Sequence, residues 1–163
     1  MKGIISNTGP LIALGSIGRI DILRHLFENV IVPEAVDGEM KAGGTHFTGL
    51  ADYQRCTWIQ VQALEDPLDP LLTNTLDIGE ASVIYLARRL QVNLVLMDEK
   101  KGRKIARDIY NLQTIGTMRI LLEGKRSGLI TSVRASINEI KASGYWFHDH
   151  IVQRTLIEAG ERD

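Results

Sequence analysis

The chain has one cysteine, almost no net charge and no long apolar run. The single Cys56 excludes an internal disulfide and any zinc site built from several thiolates. A formal charge of −1 at pH 7 excludes grip on duplex nucleic acid by bulk charge, though not by a local basic groove. No stretch approaches the roughly 20 apolar residues of a membrane span. The apolar residues before Pro10 are too few for a signal peptide. The expectation is a cytoplasmic protein with no membrane partner. Internal repeats, low-complexity tracts, a phosphate-binding Walker motif and a dinucleotide fingerprint are all missing.

What remains is ordinary globular material. Of 163 residues, 44% are hydrophobic and 24% charged, which suits one domain over residues 1–163 with a real core and no linker. Short apolar runs alternate with helical patterns. Strands are expected at Gly3–Ser6, Asn29–Val32, Thr57–Val61, Val92–Met97 and Leu112–Ile115. Two short helices follow the first strand and break near Gly15–Gly18. Pro33 opens a third, which Gly43-Gly44 ends, and Leu50–Arg55 forms a helical turn. Asp66–Pro70, with two prolines, reads as a loop. Further helices are expected over Ile78–Leu90, Arg103–Tyr110, Thr117–Arg126, Ser132–Ala142 and His148–Glu158, the last with Asp149 as N-cap. Strands alternating with helices imply a parallel sheet covered on both faces.

Leu94–Arg103 concentrates the chemistry. Leu94, Val95, Leu96 and Met97 read as a buried parallel strand, followed at once by Asp98 and Glu99 and then by Lys100, Lys101 and Arg103. Ligands of open α/β sheets bind outside the carboxyl ends of the strands. Asp98 thus stands where chemistry is usually done, or else caps the next helix. Three other positions join it: Asn7 at the end of the first strand, Glu39 on the helix after the second, and Glu80 in Leu76-Asp77-Ile78-Gly79-Glu80. Oxygen-only clusters suit Mg2+ or Mn2+ and serve phosphodiester cleavage. Each position also has a structural reading. Asp77 and Glu80 fit a capping box, and Glu39 fits a solvated helical charge. Spacing alone does not bring the four together. Gly116-Thr117 reads as a helix entry or an anion contact. His148-Asp149-His150 reads as a helix start, and His25 and His46 stand alone. Tyr145, Trp146 and Phe147 are expected to pack the last helix onto the core or a partner.

Several pieces resemble the PIN-domain family, and more narrowly the PIN-like branch related to VapC toxins. They are Ser6-Asn7-Thr8-Gly9-Pro10-Leu11-Ile12-Ala13-Leu14, Val32-Pro33-Glu34-Ala35-Val36 with Glu39, Leu76-Asp77-Ile78-Gly79-Glu80-Ala81, Leu96-Met97-Asp98-Glu99 through Gly102-Arg103, Gly116-Thr117, and Glu158-Ala159-Gly160-Glu161. Each is unspecific alone, but they occur in the family's order over nearly the whole chain. The resemblance implies a three-layer α/β/α sandwich around a parallel sheet of about five strands, with the first and fourth adjacent. It implies a Mg2+- or Mn2+-dependent ribonuclease in which Glu39, Glu80 and Asp98 hold the ion and Asn7 assists. Thr8, Lys100, Lys101, Arg103 and Thr117 would then face single-stranded or structured RNA. A small antitoxin protein and a homodimer are the implied partners. One departure stands out: the family's acid at the end of the first strand is Asn7 here. The alternative expectation is therefore a non-catalytic module of the same fold that binds RNA or an antitoxin.

Overall fold

The computed structural model describes residues 2–43 and 49–162. Gly44 and His46, singled out above, lie outside them. Five strands form one parallel sheet: β1 (Gly3–Ser6), β2 (Asn29–Pro33), β3 (Gln60–Gln62), β4 (Leu94–Leu96) and β5 (Gln113–Ile115). Their spatial order is β3-β2-β1-β4-β5. The chain lays β2 and β3 outward on one side of β1, then returns to place β4 and β5 on the other. The order thus reverses between β1 and β4, and a crevice opens there at the carboxyl edge. Ser6 lies opposite Leu96, and the Asn7 amide donates to the Leu96 carbonyl at 2.9 Å. This contact sets Asn7 next to the residues that follow β4.

The central strands are apolar on both faces because helices cover both. Ile4, Ile5, Val32, Val95, Leu96 and Met97 are fully buried. Ten helices occur among the described residues. They are α1 (Thr8–Ser16), α2 (Asp21–Leu26), α3 (Glu34–Ala42), α4 (Leu50–Arg55), α5 (Pro70–Thr75), α6 (Ile78–Arg89), α7 (Lys100–Asp108), α8 (Thr117–Arg126), α9 (Val133–Ala142) and α10 (Asp149–Glu158). The break between α1 and α2 falls at Gly18. Its φ of +67° ends α1 in a left-handed residue that only glycine adopts without strain. No helix among the described residues is long and apolar enough to cross a membrane.

Strand β4 is Leu94–Leu96 rather than Val92–Met97, and α7 is Lys100–Asp108 rather than Arg103–Tyr110. Three further expected boundaries shift for physical reasons. Strand β3 is Gln60–Gln62 rather than Thr57–Val61, because a turn closed by Thr57 N–H on Arg55 O and Ile59 N–H on Cys56 O consumes the earlier residues. The expected loop at Asp66–Pro70 ends in α5. Asp69 caps that helix through the Leu71 amide at 2.8 Å, and Pro70 sits at its first position. Helix α10 has His148, not Asp149, as N-cap, without a side-chain cap bond. The aromatic triplet also divides. Phe147 is buried, Tyr145 turns toward the strand ends, and Trp146 is 66% exposed instead of packing onto the core.

Candidate functional site

Asn7 is the N-cap of α1 with extended backbone, yet its side chain makes no cap bond. It is only 7% exposed. The amide group therefore faces the crevice rather than the helix. The next residue, Thr8, donates its hydroxyl to Glu39 Oε2 at 2.7 Å, which ties the start of α1 to α3. Glu39 reaches the site from an exposed position on α3.

The meeting point is Gly79, in the first turn of α6. A Cβ added there would lie 2.8 Å from Glu39 Oε1, 3.2 Å from Asn7 Oδ1 and 3.4 Å from Asp77 Oδ1. Three side-chain oxygens from three parts of the chain thus converge over bare backbone. Any larger residue at position 79 would fill the space they enclose. Asp77 is held in place by the capping bond expected of it, accepting from the Glu80 amide at 2.8 Å.

Glu80 lies one residue deeper, 7% exposed. Burial, the Asp77 hydrogen bond and the Asp77 charge push its carboxyl up to about 7. Its other side meets α7. A Cβ on Gly102 would run into Glu80 Oε2 and lie 2.6 Å from Met97 Sδ. The glycine is what lets α7 lie so close to α6.

Asp98 belongs to the same edge but has a different environment. It is not the N-cap of the helix that follows it; Glu99 is. Instead its carboxylate receives the N-terminus of α8. Oδ1 accepts the Thr117 amide at 2.8 Å, and Oδ2 accepts the Thr117 hydroxyl at 2.6 Å. Oδ2 also accepts the Tyr145 hydroxyl at 2.6 Å. Burial and the Asp98 charge hold Tyr145 protonated far above the usual phenol range. A Cβ on Gly116 would stand 2.7 Å from Asp98 Oδ1 and 2.8 Å from Arg103 Nη1, so a guanidinium flanks the same carboxylate. Burial lowers the Arg103 pKa, and Asp98 opposes that shift.

The expected residues therefore fall into two groups at one crevice. Asn7, Thr8, Glu39 and Glu80 lie around Gly79, while Asp98, Thr117 and Arg103 lie beside the start of α8. Lys100 and Lys101 are exposed on the first turn of α7. Thr117, expected at an anion, meets one inside the chain. His148 and His150 are exposed at the start of α10. Sequence reasoning placed Asp77 as a cap only and missed Tyr145, Gly79 and Gly102. Asp77 carried a legible cap signal. Nothing local marked Tyr145, because its contact with Asp98 spans the fold.

Among the described residues, no three His, Cys, Asp or Glu side chains are grouped so as to hold a metal ion. The cradle over Gly79 combines two carboxylates with one amide oxygen. Oxygen donors of this kind, beside an acid pushed up by burial and by its acidic neighbour, match the chemistry of a hard divalent cation. A family model described as a PIN domain matches residues 3–161. No curated protein and no solved structure gives a match.

Proposed function

Because this chain belongs to the PIN-domain family, we propose that it is a metal-dependent endoribonuclease, the toxin-like member of a toxin–antitoxin pair. The observation that carries this reading is the convergence of Glu39, Asn7 and Asp77 oxygens over Gly79, at the point where the strand order reverses. Glu39, Glu80 and Asp98, with Asn7 assisting and Asp77 alongside, would hold Mg2+ or Mn2+. The bound ion supplies water activation and charge neutralisation at a phosphodiester. The chain's own residues orient and bind. Thr8 fixes Glu39, and Thr117 and Tyr145 fix Asp98. Arg103, Lys100 and Lys101 offer cations to the phosphates on either side of the cleaved bond.

A labelled single-stranded RNA incubated with purified protein tests this reading. Cleavage that requires Mg2+ or Mn2+ and disappears in Glu39→Gln is the expected result. Intact RNA with the parent protein in both metals would defeat it.

A second reading has its own support. Asp98 already accepts three hydrogen bonds from within the chain, and the residue at the end of β1 carries no charge. A non-catalytic module that binds RNA or a small antitoxin fits those two facts. RNA retention without cleavage would favour it. The homodimer and the antitoxin contact belong to the proposal, drawing on exposed Ile151 and Ile157 of α10. Sedimentation at high micromolar concentration, with and without proteins that co-purify from the native host, tests both.

A further inference from the structure

The most exposed large apolar side chain among the described residues is Trp146, 66% exposed. Its neighbours explain why it points outward. The stretch after Gly144, whose φ is +101°, alternates. Tyr145 turns inward to Asp98, Phe147 is buried, and their rings meet edge to face at 5.1 Å. Trp146 is therefore held from both sides on anchored backbone. The His148 ring stands against it at 4.3 Å and 65°, in edge contact. A rigid, exposed indole loses little conformational freedom on binding.

Its position ties it to the site. The Trp146 Cα is one peptide step, about 3.8 Å, from that of Tyr145, whose hydroxyl touches Asp98. The same hydroxyl lies 2.8 Å from where a Gly9 Cβ would stand, at the first turn of α1. Directly after Asp98 and Glu99 in the chain, α7 presents Lys100, Lys101, Lys104 and Arg107 to solvent. Among the described residues none of these four forms an ion pair. The exposed indole thus follows directly on the residue that touches Asp98, and an unpaired cationic strip begins two residues after Asp98 in the chain. A ligand that satisfies both carries repeated anionic groups and flat apolar faces, which describes an unpaired nucleic-acid strand.

We propose that Trp146 is the base-stacking residue of this site, seating one nucleobase of a single strand whose phosphates run along the cations of α7. The proposal rests on the nucleic-acid reading of the crevice but not on cleavage. A duplex keeps its base faces stacked on one another and cannot use the platform.

The test uses the full chain carrying Trp58→Phe, so that Trp146 is the only reporter of the two tryptophans. Oligouridylate and oligodeoxythymidylate of equal length, and a duplex, are titrated without divalent metal while fluorescence and affinity are read. Quenching by one or both single strands is expected, and their relative affinity tells whether ribose matters. Trp146→Ala should weaken binding about tenfold and Trp146→Phe should restore most of it. The salt slope should stay unchanged in both, since no cation is lost. Equal affinity of parent and Trp146→Ala overturns the stacking role while leaving the nucleic-acid reading in place. Stacking without any metal-dependent cleavage leaves this proposal standing and removes the nuclease. No binding by the parent removes both. Quenching that follows protein concentration without nucleic acid also overturns it and makes the face a contact between copies of the chain.

Discussion

Glu161→Gln should cost stability in a way that disappears with acid. The Glu161 carboxylate closes the N-terminus of α9. Oε2 accepts the Val133 amide at 2.7 Å and Lys125 Nζ at 3.0 Å; Oε1 accepts the Arg134 amide at 3.0 Å and the Ser132 hydroxyl at 2.9 Å. Burial alone would raise its pKa, but these donors, led by the Arg134 amide, hold the carboxyl down at about 2 against an ordinary 4.5. The side chain is 15% exposed, so solvent screening removes only part of the effect. At about 1.4 kcal/mol per pKa unit, the ionised group contributes on the order of 3 kcal/mol at neutral pH. A lowered acid stabilises above its unfolded pKa and loses that contribution as pH falls toward its folded one. The window is therefore about pH 5 down to about 2. Urea unfolding followed by circular dichroism, at pH 7, 5, 4 and 3, measures the difference between parent and Glu161→Gln. It should be near 3 kcal/mol at pH 7 and less than about half of that at pH 3. A difference that stays constant over this range would show that the cost comes from the shape of the latch and not from its charge.

Three further outcomes follow from the site. Asn7→Asp should lower the melting temperature without metal and tighten Mn2+ binding in calorimetry, because it adds a charge where Glu39 and Asp77 already meet. Unit charges about 4 Å apart repel by up to about 4 kcal/mol at an effective dielectric near 20. Gly79→Ala should change thermal stability by less than about 1 kcal/mol, the usual span of a glycine-to-alanine change in a helix. Its Cβ would press on Glu39 Oε1, so Mn2+ affinity should fall; unchanged affinity would remove the cradle from the metal site. Arg103→Ala should reduce the slope of log affinity against log salt for RNA by about 1, and an unchanged slope would leave Arg103 as a structural companion of Asp98.

The backbone plan was legible because it rests on short-range patterns. The apolar runs at Ile4-Ile5, Val30–Val32 and Val95-Leu96 read as parallel strands and are so, with buried Met97 just past the end of β4. The Asp77 cap announced the start of α6 at Ile78. The edge strand β3 was misplaced because Gln60–Gln62 has no apolar run to mark it. One neighbouring strand and an exposed Val61 leave its limits to pairing with Ile31–Pro33. Site contacts were less legible, because they depend on non-local geometry. The resemblance placed β1 beside β4, and the Asn7 amide on Leu96 bears that out. It did not tell which oxygens meet. Glu39 and Asp77 converge only because residue 79 lacks a side chain, and Asp98 turns to α8 rather than to its own helix. The triplet Tyr145–Phe147 read as a packing segment, since three aromatics in a row do not show which one faces outward.

The two acidic groups differ in how their charge is answered, and the difference bears on which part of the crevice would bind a cation. Asp98 is answered from inside: the Thr117 amide at the start of α8, two hydroxyls and a flanking guanidinium surround it. A helix N-terminus offers about half a unit of positive charge to such an anion. Among the described residues Glu39, Asp77 and Glu80 have fewer such partners: the Thr8 hydroxyl on Glu39, the Glu80 amide on Asp77, and the hydrogen bond between the Asp77 and Glu80 side chains, none of them a cation. Glu80 is pushed up to about 7, first by its burial and then by the hydrogen bond and charge of nearby Asp77. A cation entering the crevice would therefore gain most on the Gly79 side, where the acidic oxygens are answered by no cation among the described residues. Glu161 supports the arms that hold Asp98 so. It binds Lys125 at the far end of α8, which begins at Thr117, and the first amides of α9, which leads to Tyr145. Loosening that latch should therefore reach Asp98 through both of its hydroxyl donors before it reaches the Gly79 cradle.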